Sequence, residues 1–296
     1  MTDSSQGVRA PLIERSALQQ QFGTDDNLRL RQDTHDQYSV PRVDFAEWVL
    51  THYAWQGSER VLDVGTGSGR YFDWIHQHRP HTSYVGLDMF EGMLVGHAGH
   101  GRLLCSEAAA LPFADHSFDL VMANHMLYLV PDIHAVLREI RRVLRPKGVV
   151  IAATNSVQTM PEFNALFRRA VTLLSTPGGA YNSGPPASFS SFTLENGPQI
   201  LHRHFYAVVR HDLPQALVFE TPEPALAYLE SLRSVREPHL PERVLWEDVM
   251  DVMREQIERV IAHFGELVVQ KISGVLVASE DGGFIGPFVA KRNHHE

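Results

Sequence analysis

Three glycines at alternate positions, Gly65, Gly67 and Gly69, follow an apolar run at residues 61–64 in the stretch VLDVGTGSGRY. A turn that leaves a strand and enters a helix presents backbone N–H groups with no partner of their own. Glycine there adopts positive φ and lets a ligand lie on bare backbone. Asp88 ends the next apolar run, residues 84–87. A carboxylate at a strand tip can accept both hydroxyls of a ribose, although an acid in that place also caps helices. His125 follows a third apolar run, residues 118–123. An imidazole at the carboxyl end of a strand, in a crevice at the sheet's edge, is placed to take a proton; a packed structural histidine fits the same position.

Two ligand classes compete for such a glycine turn, dinucleotides and S-adenosylmethionine. The dinucleotide pattern G-x-G-x-x-G needs a third glycine at position 70 or 72. Those positions hold Arg70 and Phe72. The pattern present is G-x-G-x-G, which counts against a dinucleotide and leaves Asp88 as the acid for an adenosine ribose.

The elements around these residues alternate. Strands are expected at 61–64, 84–87, 103–105, 118–123 and 149–153. Helices are expected at 69–78, 89–98 and 132–144. The last carries Ile133, Val136, Leu137, Ile140, Val143 and Leu144 on one face and is expected to stop at Pro146 and Gly148. Strands alternating with helices imply a parallel sheet with right-handed crossovers. Before residue 60 the spacing gives a helix through about Tyr53. Beyond Ser156 it gives helices at 161–174, 222–233 and 241–264. Strands are expected at 205–210, 274–278 and 285–290, with a Gly/Pro/Ser-rich loop at 175–198.

The 296 residues are 44% hydrophobic and 21% charged, an ordinary globular balance. The net charge of −9 disfavours wrapping nucleic acid, which needs clustered Lys and Arg. Cys105 is the one cysteine, which fits a reducing cytoplasm. The polar start shows no apolar leader, and no stretch approaches the roughly 20 apolar residues of a membrane span. The 17 histidines match no metal signature, so they are expected on the surface and no metal site is expected.

The blocks RVLDVGTGSGRY, YVGLDMFEGML, SEAAALPFADHSFDLVMANHMLYLVPD and EIRRVLRPKGVVIAATNS follow one another in order. In sequence and spacing they resemble class I S-adenosylmethionine-dependent methyltransferases, of the ubiquinone/menaquinone-type (type 11) small-molecule group, over about residues 58–156. The resemblance implies an α/β fold: a Rossmann-like, doubly wound, mostly parallel seven-stranded sheet. It would carry a helical N-terminal cap (1–56), a cofactor-binding core (57–156), a substrate-side insertion and lid (157–273) and C-terminal strands (274–296). S-adenosyl-L-methionine is the implied cofactor. Asp63, Gly65, Thr66, Gly67 and Gly69 match the motif lining its methionine part and ribose. Asp88 matches the ribose acid, and Met89 the residue packing on adenine. Glu107 and Ala108 match the adenine-binding positions, with Glu where the family usually has Asp. Asn124 matches the segment at the methionine part.

Methyl transfer from a sulfonium is an in-line displacement, so positioning supplies much of the rate and a general base is needed only for a protonated nucleophile. His125 is the base by position. Tyr38 resembles the N-terminal tyrosine that small-molecule methyltransferases fold over the cofactor; it could equally anchor the helix that follows. His35 lies nearby. The acceptor is expected to be a small metabolite, natural product or quinone-like molecule. Its pocket would draw on Tyr181, Phe189, Phe192, Phe205, Phe219 and Tyr228, with Gly178, Gly179 and Gly184 making a lid. Alternatives are a methyltransferase for RNA or protein, a non-catalytic cofactor-binding relative, and, last, an NAD-dependent oxidoreductase.

Overall fold

In the computed structural model, residues 15–99, 102–175 and 190–282 are described. Two helices, α1 (Arg15–Phe22) and α2 (Asp26–Tyr38), lead into a two-residue strand, β1 (Ser39–Val40), and helix α3 (Phe45–Leu50). The alternating part follows: β2 (Arg60–Val64), α4 (Arg70–His78), β3 (Ser83–Asp88), α5 (Glu91–Val95), β4 (Leu103–Cys105), β5 (Phe118–Met122), α6 (Ile133–Val143) and β6 (Leu144–Asn155). After it come α7 (Pro161–Leu174), α8 (Gly197–Leu201), β7 (Ala207–Phe219), α9 (Pro222–Glu230), α10 (Arg233–Arg236), α11 (Trp246–Phe264) and β8 (Leu267–Ser279).

Among the described residues the sheet has eight strands, in the order β1-β7-β8-β6-β5-β2-β3-β4. Neighbours from β6 across to β4 are parallel; β6–β8, β8–β7 and β7–β1 are antiparallel. The expected seven strands are therefore eight, because Ser39–Val40 adds an edge by pairing with Ala216 and Leu217 of β7. The chain runs β2, β3, β4 toward one edge, then returns to lay β5 and β6 on the other side of β2. The carboxyl ends of β2 and β5 are thus adjacent at the point where the order reverses, the place where open α/β sheets bind ligands.

Alternation along β2 buries both faces. Val61 packs with α3 and α4 through Leu50, Phe72 and Ile75. Leu62 and Val64 pack with α6 through Val136, Leu137, Ile140 and Val143. Burying each of those α6 side chains contributes roughly 1.5–3 kcal/mol. Asp132 caps α6 by accepting from Ala135 N–H at 2.9 Å. A second core joins α7, α9 and α11 to the far ends of β7 and β8. Among the described residues, no helix is long and apolar enough to cross a membrane.

Several expectations change. Helix α6 does end at Val143, but Pro146 and Gly148 lie within β6: Leu144 already pairs with Phe118, and the register then shifts past Lys147 at φ 70°. Strands β7 and β8 are each 13 residues long, because they pair with each other along their whole length. The strand expected at 285–290 lies outside the described residues. So do Tyr181, Phe189 and the glycines of the expected lid. Phe192 and Phe205 are almost fully buried in the α6-side core, where they fill space between the sheet and α8.

Candidate active site

The turn after β2 is built on positive φ at Gly65 (74°), Gly67 (57°) and Gly69 (88°). The glycines do different work. Gly67 N–H donates to Asp88 Oδ2 at 3.1 Å, and Phe90 N–H donates to Asp88 Oδ1 at 3.0 Å. The ribose-acid position is thus fastened to the turn itself. Burial pushes the Asp88 carboxyl upward, while these two N–H groups and that of Met89 hold it down. A Cβ on Gly65 would fall 2.9 Å from the Met126 side chain, and one on Gly67 would fall 3.1 Å from Leu28 of α2. The turn is therefore bare backbone roofed by two apolar side chains. Gly69 faces inward: a Cβ there would meet the His97 ring at 2.8 Å.

Behind the turn runs a buried relay. Gly99 N–H donates to His97 Nδ1 at 2.9 Å, so Nε2 carries the proton and donates to Thr66 Oγ1 at 2.9 Å. Thr66 Oγ1 then serves Tyr84 Oη at 2.6 Å, and Tyr84 donates to Asp63 Oδ2 at 2.8 Å. Every donor in this chain has an acceptor, which makes it rigid as well as buried. Asp63 is 1% exposed, and burial raises its pKa to about 6 despite the hydrogen bond from Tyr84. His97, expected on the surface, is fully buried because Phe72, Tyr84 and Gly69 close around it.

The remaining cofactor-side residues gather beside Asp88. Met89 packs with Leu18, Phe22, Leu28, Phe90 and Met93, joining α1 and α2 to the site. Ser106 N–H donates to the Asp88 carbonyl at 3.0 Å, which brings Glu107 and Ala108 to the same strand end; Glu107 is exposed and Ala108 packs on the core. Asn124 is buried at the end of β5. Its Oδ1 accepts from Ala153 N–H at 2.9 Å, and its Nδ2 has no partner among the described residues.

On the acceptor side His125 adopts φ 54°, and its N–H donates to the Ala153 carbonyl at 2.8 Å. Its ring lies 5.4 Å from that of Phe45. Burial, then Lys271 and Arg70, lower its pKa to about 4, so it is neutral at pH 7. Tyr38, at the end of α2, packs 5.1 Å from Phe219. His35, one turn earlier, makes an edge contact with Tyr228 at 5.5 Å, and its Nδ1 is buried without a partner among the described residues. Sequence reasoning missed Tyr84, His97, Leu28, Met126 and Lys271. Only the glycine at position 69 signals one of them, since its side chain is forbidden by His97. Among the described residues, no three His, Cys, Asp or Glu side chains gather to hold a metal ion.

These residues fit S-adenosylmethionine. Positive-φ backbone, an acid fastened at the tip of β3 and the orphaned Nδ2 of Asn124 form a donor and acceptor set for its ribose and methionine parts. The family model described as a methyltransferase domain matches residues 62–152. The chain is 38% identical over 119 residues to the demethylmenaquinone methyltransferase of Staphylococcus haemolyticus, covering 37% of this chain and 48% of that protein. It is 32% identical over 107 residues to malonyl-[acyl-carrier protein] O-methyltransferase 1 of Coxiella burnetii, covering 36% of this chain and 37% of that protein. The match thus spans less than half the length of either relative. In fold it resembles phosphoethanolamine N-methyltransferase 2 of Haemonchus contortus, solved with S-adenosyl-L-methionine (TM-score 0.54, 16% identity, 91% of this chain and 61% of that one). With motif, fold and family model in agreement, residues 62–152 are a class I S-adenosylmethionine-dependent methyltransferase domain of the type 11 group.

Proposed function

We propose that this protein transfers a methyl group from S-adenosylmethionine to a small-molecule acceptor. The observation that carries the reading is the fastening of Asp88 to the Gly67 backbone at the switch point of the sheet. When bound there, the cofactor supplies an electrophilic methyl on its sulfonium. The chain's own part is to hold and exclude. Asp88 and the turn would hold the ribose, Asn124 and the Gly65 backbone the methionine part, and Met89, Glu107 and Ala108 the adenine. Leu28 and Met126 would keep water from the reacting centre. His125, neutral at pH 7, would take the proton of an acceptor that arrives protonated, and Tyr38 and His35 would line its approach.

A small acceptor is favoured over RNA by the net charge of −9, since phosphate binding draws on clustered cations. The test is incubation with methyl-labelled S-adenosylmethionine and metabolite extracts, read by mass spectrometry. Label in a small molecule supports the reading. Folded protein that binds S-adenosylhomocysteine yet labels nothing identifies a non-catalytic relative.

A further inference from the structure

The acceptor side holds an unusual balance of charge. Lys271 of β8 is only 6% exposed, and no carboxylate lies within ion-pair distance of it among the described residues. Among the described residues its ammonium has one hydrogen bond, a long one of 3.4 Å to Ser39 Oγ, and it stands 5.9 Å over the Phe45 ring. The His125 ring lies tilted against the same Phe45 ring, with centroids 5.4 Å apart. Burial above all, then the positive charges of Lys271, Arg70 and Arg31, disfavour a proton on His35. Asp36 is the acid that faces Lys271, and it is already engaged by Arg70 at 2.5 Å. Arg31 is held by the carbonyl and hydroxyl of Ser231 at 3.1 and 3.4 Å. The neutral members are Tyr38 and Tyr228, packed on Phe219 and His35. His35, His125, Tyr38 and Arg31 are each partly exposed rather than sealed in the core.

A buried ammonium with two free donors, beside imidazoles, is a costly arrangement unless something anionic completes it. Resting on the methyltransferase reading, we infer that the acceptor is a flat apolar molecule bearing a carboxylate, which Lys271 receives beside His35 and His125 while the Phe45 ring packs on its body. One incompletely bonded cation matches a monoanion, which favours a carboxylate over a phosphate dianion. Burial lowers Lys271 to about 8. A carboxylate partner raises it again, so binding takes up protons above pH 8 and weakens as pH rises further.

The test is calorimetric titration of the full chain, saturated with S-adenosylhomocysteine, with benzoate, phenylacetate, cinnamate and salicylate. The matched carboxamides and phenyl phosphate serve as counter-probes. At least one carboxylate is expected to bind about tenfold or more tighter than its amide and than phenyl phosphate. Titrations at pH 9 in buffers of different ionisation enthalpy are expected to show proton uptake. Lys271→Met is expected to erase the preference with S-adenosylhomocysteine affinity unchanged, and Lys271→Arg to keep it. Equal binding of acids and amides, no binding of any acid, tighter binding of phenyl phosphate, or a preference that survives Lys271→Met overturns the inference. Failure to bind S-adenosylhomocysteine would instead strike the underlying methyltransferase reading.

Discussion

Gly69 is a glycine because of His97: the imidazole occupies the place, 2.8 Å away, where a side chain would begin. The third glycine of the turn is therefore a packing requirement of the relay behind the site, while Gly65 and Gly67 present the backbone in front. Gly265 has nearly the same φ (87° against 88°) with nothing within 4 Å, so it isolates the strain of the backbone alone. Gly265→Ala is expected to cost roughly 1–2 kcal/mol in denaturant unfolding. Gly69→Ala is expected to cost more than Gly265→Ala and also to weaken S-adenosylhomocysteine binding, because Thr66 moves with His97. Equal costs for the two would remove the steric role of His97.

The relay also sets a pH dependence. Burial raises Asp63 from 3.8 to about 6, so the native state binds its proton more tightly than the unfolded chain. Stability from this group is therefore fully present below pH 4, falls as pH rises toward 6, and is level above. The expected loss, from the pKa difference, is roughly 2–3 kcal/mol between pH 4 and 7. Asp63→Asn cannot ionise and lacks that fall. Unfolding curves of both proteins across this range, with a constant difference between them, would contradict the account.

The front of the site was legible in the sequence because it is local. A strand, a glycine turn and an acid at the next strand tip stand close along the chain, and apolar runs fixed β2, β3, β5 and α6. The relay was not legible because buried side-chain partners leave no pattern in the sequence, and the acceptor side because its partners come from far along the chain. His97 reaches Thr66, and Lys271 reaches Ser39 across most of the sequence. A histidine set among glycines, as His97 is in VGHAGHG, carries no sign of burial. Pro146 and Gly148 read as a helix stop, which they follow, yet pairing of Leu144 with Phe118 had already begun the strand.

His125 offers a kinetic test. Its pKa of about 4 leaves it neutral from pH 5 upward. If it takes the acceptor's proton, kcat/KM shows no inflection near the ordinary histidine value of about 6.5. His125→Gln then lowers kcat by about 10²–10⁴-fold with S-adenosylhomocysteine affinity retained. An acidic limb at pH 6–7 that disappears in His125→Gln would mean that the imidazole titrates in water instead.

The central claim is that the turn and Asp88 hold S-adenosylmethionine, and calorimetry on the wild type and Asp88→Ala tests it most directly. The account predicts micromolar binding of S-adenosylhomocysteine, no binding of NADH, and a loss of about 1–3 kcal/mol on Asp88→Ala. Binding of NADH alone, or an S-adenosylhomocysteine affinity indifferent to Asp88→Ala, would contradict it.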